Sequence, residues 1–205
     1  MVTMTEPIYR LRSTGQYVKF VIALIFIALF VLSLYLDPNA DGFFPPIIIA
    51  LGAGLVAYVF FYLPTLYLDR DGLHIHNWFM DRVLSWRDFE KLDTRFGMHI
   101  ISADASDPVT CYPGTGGLTQ GRKMLTTSSP LARSEPKQTY IPVHESGQYN
   151  LQPSLNEASS LITRMAKEFS RTSPHRPRTK TVNPMRVAMA MIGIALIIIG
   201  IQAII

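Results

Sequence analysis

The chain has 205 residues, of which 48% are hydrophobic and 17% are charged, and its formal net charge is +4. Much of the hydrophobic content lies in three long apolar segments, which excludes an ordinary soluble protein and leaves room for one soluble domain with a modest core. The single cysteine, Cys111, excludes an intramolecular disulfide, and no closely spaced Cys or His suggests a zinc site. We interpret Cys111 as a small buried or half-buried side chain.

The apolar segments cover residues 17–36, 44–63 and 187–205. A bilayer core about 30 Å thick needs on the order of 20 apolar residues in a helix, so each segment is predicted to span a membrane. The first segment lacks a signal-peptide cleavage site, and we predict that it is retained. The only charged residue in the three segments, Lys19, lies near an end and can reach the interface. Because ion and proton pathways need ionisable groups inside the membrane, a transporter, pump or channel is not expected.

Basic residues beside the spans predict the orientation of the chain. Cytoplasmic segments carry an excess of Lys and Arg, and Arg10, Arg12 and Lys19 lie at the first span. Residues 37–43, between the first two spans, contain aspartates but no basic residue. We therefore predict a membrane protein with a cytoplasmic N-terminus, a cytoplasmic soluble domain and an external C-terminus. The basic residues before the third span are Arg171, Arg176, Arg178, Lys180 and Arg186.

The soluble part begins with a series of short β-strands. Residues 65–69 and 73–79 form a predicted hairpin around the turn Arg70-Asp71-Gly72, and later segments have the same β-rich composition between turn residues. About seven closely spaced strands favour a small antiparallel barrel or sandwich. The predicted strands are residues 65–69, 73–79, 83–86, 89–96, 98–103, 109–112 and 138–143.

An amphipathic helix is predicted after Pro153, because apolar residues then recur at three- and four-residue spacing. Ser154 and Glu157 form a capping box at its start. The apolar stripe must be covered, so we expect this helix to close one end or side of the β-structure. The stripe consists of Leu155, Ala158, Leu161, Ile162, Met165, Ala166 and Phe169.

The motifs Asp71-Gly72-Leu73-His74-Ile75 and Val83-Leu84-Ser85-Trp86-Arg87-Asp88-Phe89, placed after two spans, resemble the small bacterial pleckstrin-homology-type domains of actinobacterial membrane proteins. The resemblance covers roughly residues 63–171. It implies a PH-like barrel or sandwich capped by one C-terminal helix, a binding or scaffolding role, and no catalytic residues. The long loop and the third span depart from the pattern of that family.

The predicted organisation is α+β with three transmembrane helices. It comprises residues 1–16 as a cytoplasmic N-terminus, 17–63 as a transmembrane hairpin, 64–171 as the PH-like domain with a flexible loop at 113–136, 172–186 as a basic linker, and 187–205 as the third transmembrane helix.

The glycine-rich residues 113–123 invite comparison with a phosphate-binding loop. Gly116 and Gly121 have the spacing of its glycines, but Arg122 stands in place of the lysine and Lys123 in place of the hydroxyl that holds magnesium. We therefore interpret this segment as a mobile loop and predict no nucleotide binding.

The histidines are the only candidate metal ligands. His74 and His76 would point to the same side of a strand, and His99 or His144 could complete a site. A solvent-facing strand edge explains the pair equally well. No nucleophile with a general base is recognisable, so we predict a protein that is not an enzyme and has no cofactor or metal.

The basic stretch before the third span is the densest in the chain. Each such residue beside an anionic inner leaflet contributes about 1 kcal/mol of attraction, so the five residues given above are candidate membrane-surface contacts. A requirement for orientation alone also explains them. A head-group pocket formed by Arg70 and Arg82 would be neutralised by neighbouring aspartates, and the sequence contains no interleaved basic and aromatic run that predicts nucleic-acid binding.

Small residues mark helix faces that can approach another helix closely, which is how packing is achieved in lipid. Packing among the three spans of this chain would use part of those faces, and the rest would remain for other integral membrane subunits. The predicted helix-packing residues are Ala50, Ala53, Gly54, Ala57, Ala188, Gly193, Ala195 and Gly200.

Two functional hypotheses follow from the sequence. The first is a non-enzymatic accessory or assembly subunit of a larger inner-membrane complex, for which a respiratory-chain complex is one host. The alternative is a membrane-anchored sensor whose PH-like domain binds anionic lipid or another ligand. An enzyme would need an unrecognised site in residues 113–136.

Overall fold

The computed structural model of the chain describes residues 9–36, 44–103, 105–113 and 149–203. Three of its helices are long and apolar enough to cross a membrane, as the sequence predicts, and the second of them ends in a π-helical turn at Tyr58–Tyr62. Side chains cap two of these helices at their first turn, since Ser13 accepts from the Gly15 amide and Asn183 from the Arg186 amide. The helices are α1 (Thr14–Tyr35), α2 (Phe44–Ala57), α3 (Leu155–Phe169) and α4 (Pro184–Gln202).

The described strands form two sheets, neither of which closes into a barrel. One sheet has six strands in the order β8-β1-β2-β3-β4-β9, and the other has three in the order β5-β6-β7. Neighbouring strands are antiparallel except β1 and β8. The strands are β1 (Tyr9–Leu11), β2 (Thr65–Leu68), β3 (Gly72–His76), β4 (Met80–Ser85), β5 (Phe89–Asp93), β6 (Gly97–Ser102), β7 (Ala105–Pro113), β8 (Tyr149–Leu151) and β9 (Thr179–Val182).

One hydrophobic core contains side chains from both sheets and from α3. Trp86 is fully buried in it, and its indole Nε1 donates to the Asp69 carbonyl at 2.8 Å. The predicted capping box is present, with Ser154 accepting from the Glu157 amide while the Glu157 carboxylate accepts from Ser154. That pairing lowers the pKa of Glu157. The predicted apolar stripe of α3 faces the core through Ala158, Leu161, Ile162, Met165 and Ala166.

Three strands depart from the predicted organisation. Residues 1–16, predicted as an N-terminal segment, supply β1, which lies inside the larger sheet rather than at its edge. Residues 172–186, predicted as a basic linker, supply the edge strand β9, and β8 also lies outside the predicted set. These strands are short and obtain their stability from partners distant in sequence, so local patterns do not reveal them. The predicted strand at 138–143 and most of the predicted loop at 113–136 lie outside the described residues.

The three candidate spanning helices all join the larger sheet at the same end of its strands. Strand β1 ends at Leu11, just before α1 begins, and β2 starts at Thr65, three residues after the π-helical turn. Strand β9 ends two residues before α4. The register places the end of β1 beside the start of β2 and the start of β4 beside the end of β9. If the helices cross a membrane, this end of the sheet lies at the membrane surface.

Candidate membrane-proximal site

Helices α2 and α4 pack closely because glycines remove side chains from their interface. A Cβ atom on Gly52 would lie 2.5 Å from the Gly193 carbonyl oxygen, and one on Gly193 would lie 2.8 Å from the side chain of Val56. A Cβ on Gly200 would meet the side chain of Ile49 at 2.5 Å. The structure therefore brings the predicted packing residues Gly193 and Gly200 into contact with α2. Their partner Gly52 was missed because its neighbours in sequence suggested a different helix face.

The other predicted packing residues occupy different surroundings. Gly54 has no described atom within 4 Å of a Cβ built on it, and with Ala50 it lines an apolar groove of about 470 Å³ between α1 and α2. Ala50 also lines a neighbouring apolar cavity of about 710 Å³ between the same helices. Ala57 is buried and Ala53 half-buried. Exposed small side chains on α4 belong to Ala188 and Ala195.

Three of the five predicted membrane-surface cations are engaged in ion pairs with the sheets. Arg176 Nη2 donates to Asp71 Oδ2 at 2.7 Å, and Arg178 pairs with Asp107. Arg186 Nη1 donates to Asp81 Oδ1 at 2.9 Å. Arg171 and Lys180 are exposed. These three ion pairs therefore attach the segment before β9, and the start of α4, to the rest of the domain.

A polar cluster lies where α4 enters the sheet. His76 Nδ1 is 2.7 Å from Asp81 Oδ1, which also accepts from Arg186. Asn183 donates to the second oxygen of Asp81 at 3.0 Å. Burial lowers the pKa of His76, and the charge of Arg186 adds to this effect while Asp81 opposes it. The cluster favours a neutral imidazole beside an aspartate that is already paired with arginine.

The second histidine of the predicted metal pair has its own carboxylate partner. His74 Nε2 is 2.8 Å from Asp69 Oδ2, and Asp69 Oδ1 accepts from the amides of Asp71 and Gly72. Burial alone would raise the pKa of Asp69, but these hydrogen bonds and His74 outweigh burial and lower it. No group of three or more metal-binding side chains occurs in the part of the chain that the structure describes. His144 lies outside that part.

Two cations that the sequence analysis used only for orientation lie on the sheet without an acidic partner among the described residues. Arg10 and Arg12 are half-buried, and the Nε atom of each is shielded from solvent without a hydrogen-bond partner. The guanidinium carbon of Arg12 lies 4.6 Å from the ring centre of Tyr62, and that of Arg10 lies 5.4 Å from the ring centre of Tyr67. A single sequence could not separate these arginines from paired ones, because pairing depends on the tertiary fold.

A groove of about 280 Å³ lies between the first turn of α1, the π-helical turn and the smaller sheet. Gln16 and Lys19 of α1 line it opposite Trp78, whose indole nitrogen donates to the Phe60 carbonyl at 3.0 Å. Gln16 is 6% exposed, and its Nε2 donates to the Thr110 carbonyl at 2.6 Å. The groove therefore combines an aromatic wall with a cation at the end of a spanning helix, as side chains at a membrane interface do.

Cys111 and its neighbour Tyr112 are buried, and burial raises the pKa of both side chains. The thiol is thus held in its neutral form, which is the inert form of cysteine. This result confirms the interpretation of Cys111 as a small buried side chain. Tyr112 donates through its hydroxyl to the Pro153 carbonyl at 3.3 Å, just before α3.

Comparison with known proteins gives no assignment. No family model matches the chain, and no curated protein or solved structure shows significant similarity to it.

Proposed function

We propose that the chain is a non-enzymatic integral membrane accessory or assembly subunit of a larger inner-membrane complex. The observation that carries this proposal is the open groove between α1 and α2, in which a Cβ on Gly54 would meet no described atom. A respiratory-chain complex is one host that this proposal includes. In this larger complex, the soluble domain acts as a cytoplasmic PH-like scaffold.

The unequal packing of the three helices supports this role. Glycines bring α2 and α4 into backbone contact, whereas α1 and α2 leave apolar space beside Ala50 and Gly54. In lipid, helices associate where small residues allow close approach, because burial of apolar surface contributes little there. A helix of another subunit that fits this groove would gain the contacts that the chain itself leaves unmade.

The arrangement of strands and helix in the soluble domain supports the proposed scaffolding role. Strands β1 to β4 form consecutive antiparallel neighbours, β5 to β7 form a second sheet, and α3 packs on the shared core, an order compatible with a PH-like domain. Because three short connections join its sheet to the spans, the domain is held in a defined orientation to them. Such an arrangement suits a subunit that positions a partner.

Co-purification from native membranes in mild detergent tests the proposal. We expect stoichiometric membrane partners with the wild-type chain and their loss with Gly54→Leu, which fills the groove from a position where a Cβ meets no described atom. Ala195→Leu enlarges a predicted packing residue on the exposed side of α4, outside the groove, and should retain the partners if the groove is the contact surface. A wild-type chain that purifies alone contradicts the proposal. Partners lost with Ala195→Leu and kept with Gly54→Leu would show that the groove is not the contact surface.

A second candidate function is a membrane-anchored sensor that binds anionic lipid through the same domain. The ion pairs of Arg176, Arg178 and Arg186 weaken the version of this hypothesis that relies on the basic stretch. Arg10 and Arg12 favour it, because they are cations without an acidic partner in the described chain. The two candidates are compatible, since a subunit of a membrane complex can also hold a lipid.

A further inference from the structure

Arg10 of β1 and Arg12, the residue that directly follows this strand, lie on the same face of the extended segment, turned away from the core. Tyr9 and Leu11, the residues that alternate with them, are fully buried. Side chains two residues apart on a strand share a face at a spacing of about 7 Å. The Arg12 amide donates to the Leu151 carbonyl at 3.0 Å, so the chain keeps its extended pairing beyond the end of β1. The two guanidinium groups therefore belong to one surface.

This surface concentrates positive charge that nothing in the described chain neutralises. Arg10 and Arg12 form no ion pair with a described residue, whereas Arg82 and Arg176 of the same domain each pair with an aspartate. Half-burial weakens the solvation of a guanidinium, and two like charges at adjacent positions on one face of an extended segment repel each other. An anion bound by both groups would offset this repulsion and accept from their terminal N–H groups.

Aromatic rings hold the two side chains in place. Arg12 lies over Tyr62 and Arg10 over Tyr67, and His76 packs edge-on against Tyr67 with 5.0 Å between ring centres. Stacking fixes the plane of a guanidinium while leaving its N–H groups at the ring edge free to donate. A pair of oriented guanidinium forks matches the oxygens of a phosphate group.

The position of the surface identifies the source of the phosphate. Arg12 precedes the first spanning helix by two residues, and Tyr62 ends the second. Both therefore lie at the level of the head groups if these helices cross a bilayer. We infer that Arg10 and Arg12 form a binding site for the phosphate group of an anionic membrane phospholipid. This inference rests on the lipid-binding candidate function given above, for which it names the site, and it is independent of the proposed protein partners.

Titration of the purified full chain in neutral detergent with short-chain lipids tests the site. Dioctanoyl phosphatidylglycerol should bind in a salt-sensitive manner, and native mass spectrometry should show one bound molecule per chain. We expect Arg10→Gln combined with Arg12→Gln to weaken binding by about tenfold or more, because charge-assisted hydrogen bonds are lost. Lys91→Gln combined with Lys167→Gln is the matched control, since it removes the same charge from two exposed residues outside the predicted membrane-surface set and should change binding little.

Smaller phosphates and lysine variants test the identity of the ligand and the need for the guanidinium fork. Inorganic phosphate and glycerol 3-phosphate should bind far more weakly than the lipid, and equal affinity would overturn the assignment to a membrane phospholipid. Arg10→Lys combined with Arg12→Lys retains the charge but not the fork, so intermediate weakening supports the site and keeps the test valid if the glutamine variant fails to fold. Equal loss of binding in the matched control, or unchanged binding in the glutamine and lysine variants, would overturn the inference.

Discussion

Several arginines of this domain fall into two groups, those paired with a carboxylate and those stacked on a tyrosine ring. Asp107 is 1% exposed and accepts from both Arg82 and Arg178, so two strands and the segment before β9 meet at one carboxylate. Arg10 and Arg12 instead stack on tyrosines and have no acidic partner among the described residues. The arginines paired with Asp107 stabilise the structure, and the two stacked on tyrosines remain for a ligand.

Replacing Asp107 with asparagine should lower the free energy of unfolding by about 3 kcal/mol, because two part-buried guanidinium groups then face each other without an anion. Chemical denaturation of the purified chain in detergent measures this change. Asp88→Asn is the comparison, since Asp88 pairs at 3.3 Å with His175, whose side chain is 65% exposed. Asp88→Asn should lower the free energy of unfolding by less than about 1 kcal/mol. Equal effects of the two substitutions would show that Asp107 is not a buried ion-pair centre.

His76 should make stability depend on pH in the mildly acidic range. Its folded-state pKa lies below the ordinary value of 6.5, so the unfolded chain binds a proton first as the pH falls through that value. Stability from His76 is therefore complete above pH 6.5 and is lost as the pH falls toward the folded-state pKa. The charged and titratable groups around it are Asp81, Arg186 and His74.

Thermal unfolding midpoints between pH 5 and pH 8 check this expectation, a range chosen to bracket the ordinary histidine pKa of about 6.5. His76→Gln should flatten the fall in the midpoint on the acidic side, because the substituted side chain takes up no proton. His175→Gln alters an exposed histidine and should leave the slope unchanged. The assignment to His76 is wrong if both variants flatten the slope equally.

At the scale of helices, two glycines only two residues apart on α2 differ in how closely another helix packs against them. Gly52 faces α4 with no room for a Cβ atom, whereas the space around Gly54 is open. Ala50, Ala53 and Ala57, which the sequence analysis placed on a single face of small residues, therefore differ in their surroundings: Ala50 lines the groove, Ala53 is half-buried and Ala57 is buried. Packing within the chain uses one side of α2, and the proposed partner would use the side toward α1.

Alanine substitutions at these two glycines test the packing directly. Gly52→Ala should destabilise the helix pair by about 1–3 kcal/mol, because the new methyl group meets the backbone of α4. Gly54→Ala should be neutral or stabilise the helix by up to about 1 kcal/mol, because alanine is the better helix former. Thermal unfolding of both variants in the same detergent gives the comparison. Equal destabilisation by the two would contradict the helix interface described here.

At the scale of the whole molecule, the hairpin of the first two long apolar helices is an insertion between two adjacent strands. Leu11 of β1 pairs with Leu66 of β2, although two candidate spanning helices separate them in sequence. The domain predicted at residues 64–171 therefore lacks a strand from the middle of its larger sheet and the edge strand β9. Removing β1 would expose the core beside Leu66 and Leu68, both of which are fully buried.

A soluble version of the domain should fold only when β1 is present. We expect residues 65–182 alone to remain unfolded or to aggregate, because the buried side chains Leu66 and Leu68 of β2 would lose their neighbouring strand β1. Joining residues 8–12 directly to residue 65 through Asn-Gly should restore a cooperative domain, since the register suits a two-residue hairpin turn. Circular dichroism melting and amide dispersion in NMR spectra distinguish the two chains. A cooperatively folded 65–182 segment would show that β1 is dispensable.

Part of the fold was predictable because it depends on neighbouring residues. The spans follow from apolar length, and α3 follows from the capping box of Ser154 and Glu157 and a stripe of apolar residues. The hairpin around Asp71 and Gly72 was predicted correctly from turn chemistry and alternation. Strand β9 was not predictable, since its residues are exposed and mostly polar and the strand forms by pairing with β4.

The sequence by itself determined three long apolar helices, an α+β domain and a cysteine that is a small buried or half-buried side chain, because composition and local periodicity are properties of neighbouring residues. The tertiary structure alone decided that β1 and β9 complete the larger sheet, that Gly52 rather than Gly54 meets α4, and that Arg10 and Arg12 have no carboxylate partner within the described ranges. These outcomes depend on contacts between residues far apart along the chain, which composition and spacing do not encode.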